Sequence, residues 1–294
     1  RAIGGLYPPG SIFKIVSALA GLESGKISPS TQFEDTGILR LGSFSFSNWF
    51  FTQYGKTEGM VDLKKAMQRS NDIYFYRVGM AVGEETLAEI ARVLGLGKVI
   101  GIDIFGEGEG LVPDAKWKNE KLEEIWFPGD TLHMAIGQGY ILTTPLQISH
   151  LISIMAELKI PPKPHLRLSP VEEGTGIPFK NKNMDIVRSS LEGVPKSGGT
   201  AWPFFSFPIV SAGKTGTAEY GDAKGRTHAW YTAFAPVDDP RIAVTVLIEG
   251  GGEGSSVSAP VVKEVFRWYF SPDKNNLIKD IYTEASTSAK TLGE

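Results

Sequence analysis

After Ser11 the apolar residues Ile12, Ile15, Val16, Leu19 and Leu22 recur at helical spacing, and Gly25 is placed to end the pattern in a left-handed turn. The spacing predicts a helix that starts at Ser11, directly behind the rigid turn of Pro8, Pro9 and Gly10. From Thr36 to Tyr54 the chain is rich in Phe, Ser and Gly without a clean period, so irregular or short-stranded structure is expected. Helical patterns follow near Asp62 to Gln68, from about Ile73 to Val82 and from Glu84 to Leu94. Arg69 to Asp72 interrupts the first pair, and Gly95 closes the last. Gly97 to Asp130 reads as loop, including the Gly106 to Gly110 stretch, which lacks the Lys of a phosphate loop. Thr144, Pro145 and Gln147 have the form of a capping box, with Pro at the first helical position, and open an apolar run into Ala156. A Pro-rich polar connection occupies 158–182, and Asp185 to Leu191 suggests a short helix.

The C-terminal third changes period. Phe207 to Ala212, Ala229 to Phe234 and Ile242 to Ile248 are rich in β-branched and aromatic residues, which predicts consecutive antiparallel strands. The polar stretch from Tyr220 to Thr227 separates the first two. A last helix opens near Ser258, Ala259 and Pro260 and carries Val261, Val262, Val265, Phe266 and Tyr269 toward that sheet. These elements imply an α/β chain, one domain over 1–272 with an attached subdomain, and a weakly ordered tail at 273–294.

Composition narrows what the chain does. Thirty Lys and Arg stand against thirty-three Asp and Glu without a block of like charge, so nucleic acid and anionic membrane surfaces are not expected partners. There is no cysteine, which removes disulfides, thiol nucleophiles and thiolate metal sites. His133, His150, His165 and His228 show no metal-ligand spacing, and neither metal nor cofactor is expected. No run of eighteen apolar residues appears. The chain starts without Met on a Pro-Pro-Gly turn and is read as part of a longer protein.

Three short motifs bear chemistry: Ser11-Ile-Phe-Lys14, Ser70-Asn71-Asp72 and Lys214-Thr215-Gly216. A serine hydroxyl needs a base to become a nucleophile, and a Lys three residues on lies on the same helix face. Lys14 serves only when neutral. Burial favours that form, and so does a second cation, which Lys214 can supply from the opposite wall of a cleft. Ser70, at a helix break, is placed to relay a proton, and Asp72 to orient Lys14 or Ser70. Lys214 to Thr217 resembles an edge strand, in which Gly216 admits a substrate backbone and Thr217 offers its amide and hydroxyl. The amides of Ser11 and Thr217 are the candidate oxyanion hole. Asn71, Thr215, Gly216 and Thr217 are the candidate substrate-binding residues. The Phe44 to Phe51 aromatics read as packing rather than as cleft lining.

Singly, each motif is an ordinary helix face, turn or strand end; in this order and these contexts they form the signature of serine penicillin-recognising enzymes. The resemblance spans nearly the whole chain. Tyr7 to Lys14, Asn71 to Tyr76, Ile136 to Tyr140 with Thr144 to Gln147, Gly199 to Ala201, Ala212 to Glu219, and His228 to Trp230 with Phe234 to Pro236 are similar to class B penicillin-binding proteins, the elongation-type above all. Asp72, where Asn is more common, resembles that subset. The resemblance implies an antiparallel sheet flanked by helices with an all-helical subdomain. It further implies a D,D-transpeptidase that cross-links peptidoglycan stem peptides through a serine acyl-enzyme and is inhibited by β-lactams. Upstream of residue 1 it implies the first sheet strands, a pedestal domain and a transmembrane anchor that holds the enzyme outside the cytoplasm. A cell-wall glycosyltransferase and other elongation-complex proteins are the implied partners through those segments.

Rival readings share the nucleophile. A class A β-lactamase has a Glu followed at the expected offset by Leu-Asn, which does not occur between Asp72 and Lys214, and class D enzymes and β-lactam sensors carry Ser-x-Val where this chain has Ser70-Asn71-Asp72. A D,D-carboxypeptidase differs only in passing the acyl group to water, and a silent scaffold module is disfavoured by the presence of Ser11 and Lys14.

Overall fold

The structure is a computed structural model that describes residues 1–168, 172–219 and 225–272. The tail expected at 273–294 lies outside the described residues. A 3-10 turn, Gly10–Phe13, runs into α1 (Lys14–Glu23), which is buried from Lys14 to Leu22 and forms the centre of the main core. Two short antiparallel ribbons follow. One pairs β1 (Phe33–Asp35) with β4 (Gly59–Val61), and the other pairs β2 (Ile38–Leu41) with β3 (Phe44–Ser47). Between them lies α2 (Trp49–Tyr54).

Next come α3 (Leu63–Arg69), whose first turn is capped by the Asp62 carboxylate accepting from the Lys65 N–H at 2.8 Å, and α4 (Asp72–Val93). Gly83, at φ 78° and ψ 167°, interrupts α4, so the two helices that the period predicts are joined by a kink. α1 packs along α4, and Tyr74, Phe75, Val78 and Leu87 of α4 lie in one cluster with the apolar residues of α1 and of the sheet.

The stretch expected as loop over Gly97 to Asp130 instead holds α5 (Ala115–Leu122) and the start of α6 (Pro128–Ala135). Lys118 is the buried residue of α5, so its inner face shows no apolar period: the ammonium bonds Asp130 at 2.7 Å and lies over the Tyr140 ring. The capping box is present at α7 (Pro145–Glu157), where Thr144 and Gln147 exchange hydrogen bonds of 3.1 Å. α8 (Asn181–Leu191) covers the short helix expected at its end.

The sheet is antiparallel in the order β5 (Ala212–Glu219), β6 (Thr227–Ala235), β7 (Ile242–Ile248). α7, α8 and α9 (Ser258–Phe270) pack on it. The first strand therefore does not run from Phe207 to Ala212, as the β-branched pattern suggests. It begins at Ala212, where Gly213 and Gly216 dilute that pattern, and residues 207–211 carry no strand. Because β5 lies at an edge among the described strands, one side of the Lys-Thr-Gly motif is left open.

Candidate active site

Glycines bring the Ser11 turn against β5. Gly10 adopts φ 54°, and a Cβ there would lie 2.8 Å from the Thr217 carbonyl oxygen. On the other side the Gly10 N–H donates to the Gly137 carbonyl at 2.9 Å, and a Cβ on Gly137 would lie 2.1 Å from the Gly10 oxygen. A Cβ on Gly216 would meet the Pro9 oxygen at 3.0 Å and Ile12 Cγ1 at 3.2 Å. Gly216 thus makes room for the Ser11 turn, as strand alternation requires. Thr215, Thr217 and Glu219 face the cleft, and Gly216 and Ala218 face the turn. Gly216→Val is expected to push against Pro9 and Ile12, costing about 1–3 kcal/mol, read as a lower midpoint in thermal unfolding.

Two lysines meet at Ser70. Lys14 and Lys214 have no solvent exposure. Lys14 Nζ donates to the Ser70 carbonyl at 2.7 Å and to Asp72 Oδ1 at 2.6 Å, with Ser70 Oγ at 3.2 Å. Lys214 Nζ reaches the same Oγ at 2.8 Å and the Thr215 carbonyl at 3.1 Å. Carbonyl and carboxylate oxygens only accept, so a neutral Lys14 satisfies both with its two hydrogens and keeps a lone pair for a hydroxyl. Burial lowers Lys14 below the ordinary lysine value, and Asp72 opposes this. Lys214, with no carboxylate partner among the described residues, is pushed well below that value by burial and then by the charge of Lys14. Burial thus acts against the ammonium form of both amines, and the Asp72 carboxylate favours it on both.

Ser70 caps α3 with φ 55°, a left-handed conformation that costs a non-glycine residue about 1 kcal/mol or more. The Asn71 N–H closes the cap on the Ala66 carbonyl at 2.9 Å. The strain aims Ser70 Oγ between the lysines. Asp72, at the first turn of α4, binds Lys14 through Oδ1 and accepts the Trp49 N–H at Oδ2 at 3.0 Å. Asn71, expected to bind substrate, is placed elsewhere. It is fully buried, caps α4 by accepting the Tyr74 N–H at 2.9 Å, and donates to Asp35 and Glu58.

Ser11, Ser70, Asp72, Thr215 and Thr217 line one cleft of about 1050 Å³. Ser11 is half-buried there, and Thr217 is exposed at the open edge of β5. Thr215 shares a hydrogen bond of 2.6 Å with Thr200, which the Gly199 to Ala201 segment brings to the same wall. The opposite wall comes from the segment read as packing. Phe46, Trp49, Phe50 and Tyr54 line the cleft, and Arg69 stacks over the Phe50 ring at 5.0 Å. Nothing in the residue period separates a cleft wall from a core here, since Phe46 serves both, with 7 % exposure. Sequence reasoning also passed over Asn48, which accepts the Asp72 N–H, and Asp35, which holds Asn48.

Residues 1–267 match the family model described as the penicillin binding protein transpeptidase domain. The chain is 30% identical to the peptidoglycan D,D-transpeptidase MrdA of Salmonella typhimurium over 95% of its own length and 49% of the relative's. It is 31% identical to the enzyme of that name from Escherichia coli, with 87% and 44% covered. A crystal structure of Pseudomonas aeruginosa PBP2 in complex with WCK 5153 is similar at a TM-score of 0.83 and 35% identity, covering 93% of this chain and 63% of that one. So is PBP2 in a complex with MreC from Helicobacter pylori, at 0.83 and 33%, with 92% and 50% covered. The chain spans about half the length of the curated relatives it matches.

Proposed function

The chain belongs to the penicillin-binding protein transpeptidase family, and from that premise we propose that it is a peptidoglycan D,D-transpeptidase of the elongation type, acting through an acyl-enzyme on Ser11. The observation that carries this reading is Ser70 Oγ, bridged by Lys14 Nζ at 3.2 Å and Lys214 Nζ at 2.8 Å, in the cleft that Ser11 enters. That hydroxyl lets one proton pass between the two amines. With the charge moved to Lys214, Lys14 is the neutral base for Ser11.

Ser11 Oγ attacks the carbonyl carbon of the penultimate D-alanine, its proton passes to Lys14, and the amides of Ser11 and Thr217 hold the oxyanion. The C–N bond to the terminal D-alanine breaks as that nitrogen takes a proton through Ser70, releasing D-alanine. The amine of a neighbouring stem then attacks the ester, gives its proton back to the amine pair, and frees Ser11. Asp72 orients Lys14, and Thr215 and Thr217 bind the donor stem along β5 as an added strand.

A β-lactam meets the same serine but keeps its leaving nitrogen tethered, so the adduct persists. The substrates place the enzyme outside the cytoplasm, where a glycosyltransferase supplies glycan strands. The Helicobacter pylori complex with MreC supports partners of the elongation machinery.

Incubation with a labelled penicillin, followed by mass spectrometry of the digested chain, tests the reading. The expected result is one persistent adduct on Ser11. An unlabelled chain, or label on another residue, ends the proposal, and rapid release of hydrolysed drug assigns the site to a β-lactamase.

A further inference from the structure

We propose that Asp35 is a positioning residue for the Asp72–Lys14 pair, acting through Asn48. The proposal rests on the reading of Ser11 and Lys14 as the acylating pair. Asp35 ends β1, is 3 % exposed and does not line the cleft. Its Oδ1 accepts the Gly37 N–H at 2.9 Å. Its Oδ2 accepts Asn48 Nδ2 at 2.9 Å, the Glu58 N–H at 3.0 Å and Asn71 Nδ2 at 3.0 Å. No Lys or Arg among the described residues forms a salt bridge with it, so amide donors alone compensate the burial of this carboxylate.

Two of those donors lead to the site. Asn48 is fully buried; its N–H donates to the Gly37 carbonyl at 2.8 Å, and its Oδ1 accepts the Asp72 N–H at 3.2 Å. The next residue, Trp49, gives its N–H to Asp72 Oδ2 at 3.0 Å. Asp72 is therefore gripped at its amide and at one carboxylate oxygen by residues 48–49, while the other oxygen holds Lys14 at 2.6 Å. Asn71, the other side chain on Asp35, caps the helix that begins with Asp72. Asp35 thus joins the ribbon segment, which forms one cleft wall, to the residue that orients the base.

The charged and titratable groups around Lys14 are Asp72 from α4 and Lys214 from β5, with Tyr76 near the Asp72 carboxylate and Glu219 near Tyr76. Asp35 touches none of them, which makes its effect indirect and separable.

Asp35→Asn keeps the shape but turns one acceptor into a donor among donors. The second-order rate of penicillin acylation is expected to fall about 10- to 100-fold, measured per folded molecule. In an Asp72→Ala background the same change is expected to cost less than about twofold, because the group it positions is gone. Equal losses in both backgrounds would make Asp35 a purely structural residue and overturn the proposal. A second pair avoids any folding failure of Asp35→Asn. Trp49 is the first residue of α2, behind an extended Asn48 at φ −81° and ψ 136°, so it tolerates proline. Trp49→Pro deletes the N–H that Trp49→Ala keeps, and should acylate about tenfold more slowly than Trp49→Ala. Equal rates overturn the proposal. Wild-type chain that takes no label sinks the reading beneath it, whereas a labelled wild type with equally labelled Asp35→Asn sinks the positioning role alone.

Discussion

Ser11→Ala is expected to carry no covalent penicillin at any time of incubation, with a thermal midpoint close to that of the parent. The loss is complete because no neighbouring group takes over bond formation. Ser70 is also a hydroxyl in the cleft, but its Oγ sits between two amines and its backbone is fixed at φ 55°, and in the proposed reading it moves protons. Stability is spared because Ser11 is half-buried on the cleft wall and its hydroxyl holds no other part of the described fold. Removing it costs on the order of 0.5 kcal/mol or less. Ser70→Ala behaves differently. It leaves two buried amines short of an acceptor, which costs about 1–3 kcal/mol, and slows acylation about 10²- to 10⁴-fold without abolishing it. Intact-mass spectrometry separates the two variants, and an adduct on Ser11→Ala would move the nucleophile elsewhere.

These residues were legible in the sequence because each motif sits on a feature that the period of apolar residues exposes. Ser11 opens a helical repeat, Ser70 stands where one repeat stops before the next, and Lys214 lies in a stretch that ends the helical pattern. The capping box at Thr144 was visible for the same reason, as were the two helical patterns that a kink at Gly83 joins. What escaped the sequence has a common cause. Asp35, Asn48 and Glu58 converge only because two antiparallel ribbons fold their segment back onto α4, and no spacing within any one of them signals the others. α5 escaped because its inward contact is an ammonium. The start of β5 shifted because its glycines answer to close packing, Gly213 against β6 and Gly216 against the Ser11 turn, and not to strand propensity.

The same conflict between local preference and the site sets the last result. Lys214→Met is expected to slow acylation about 10²- to 10⁴-fold while raising stability by about 1 kcal/mol, or about 2–4 °C in thermal midpoint. The side chain is fully buried, has no carboxylate partner among the described residues, and lies near a second buried amine that already holds Asp72. Desolvation and the charge of Lys14 both act against its ammonium. Met fills a similar volume without a charge to desolvate, so the fold gains. Acylation is expected to lose, because Ser70 Oγ then contacts one amine only, and in the proposed reading the proton that leaves Lys14 has no second site to occupy. Stability and acylation moving in opposite directions is the mark of a buried cation kept for chemistry. A variant that both unfolds more readily and acylates normally would reverse that assignment for Lys214.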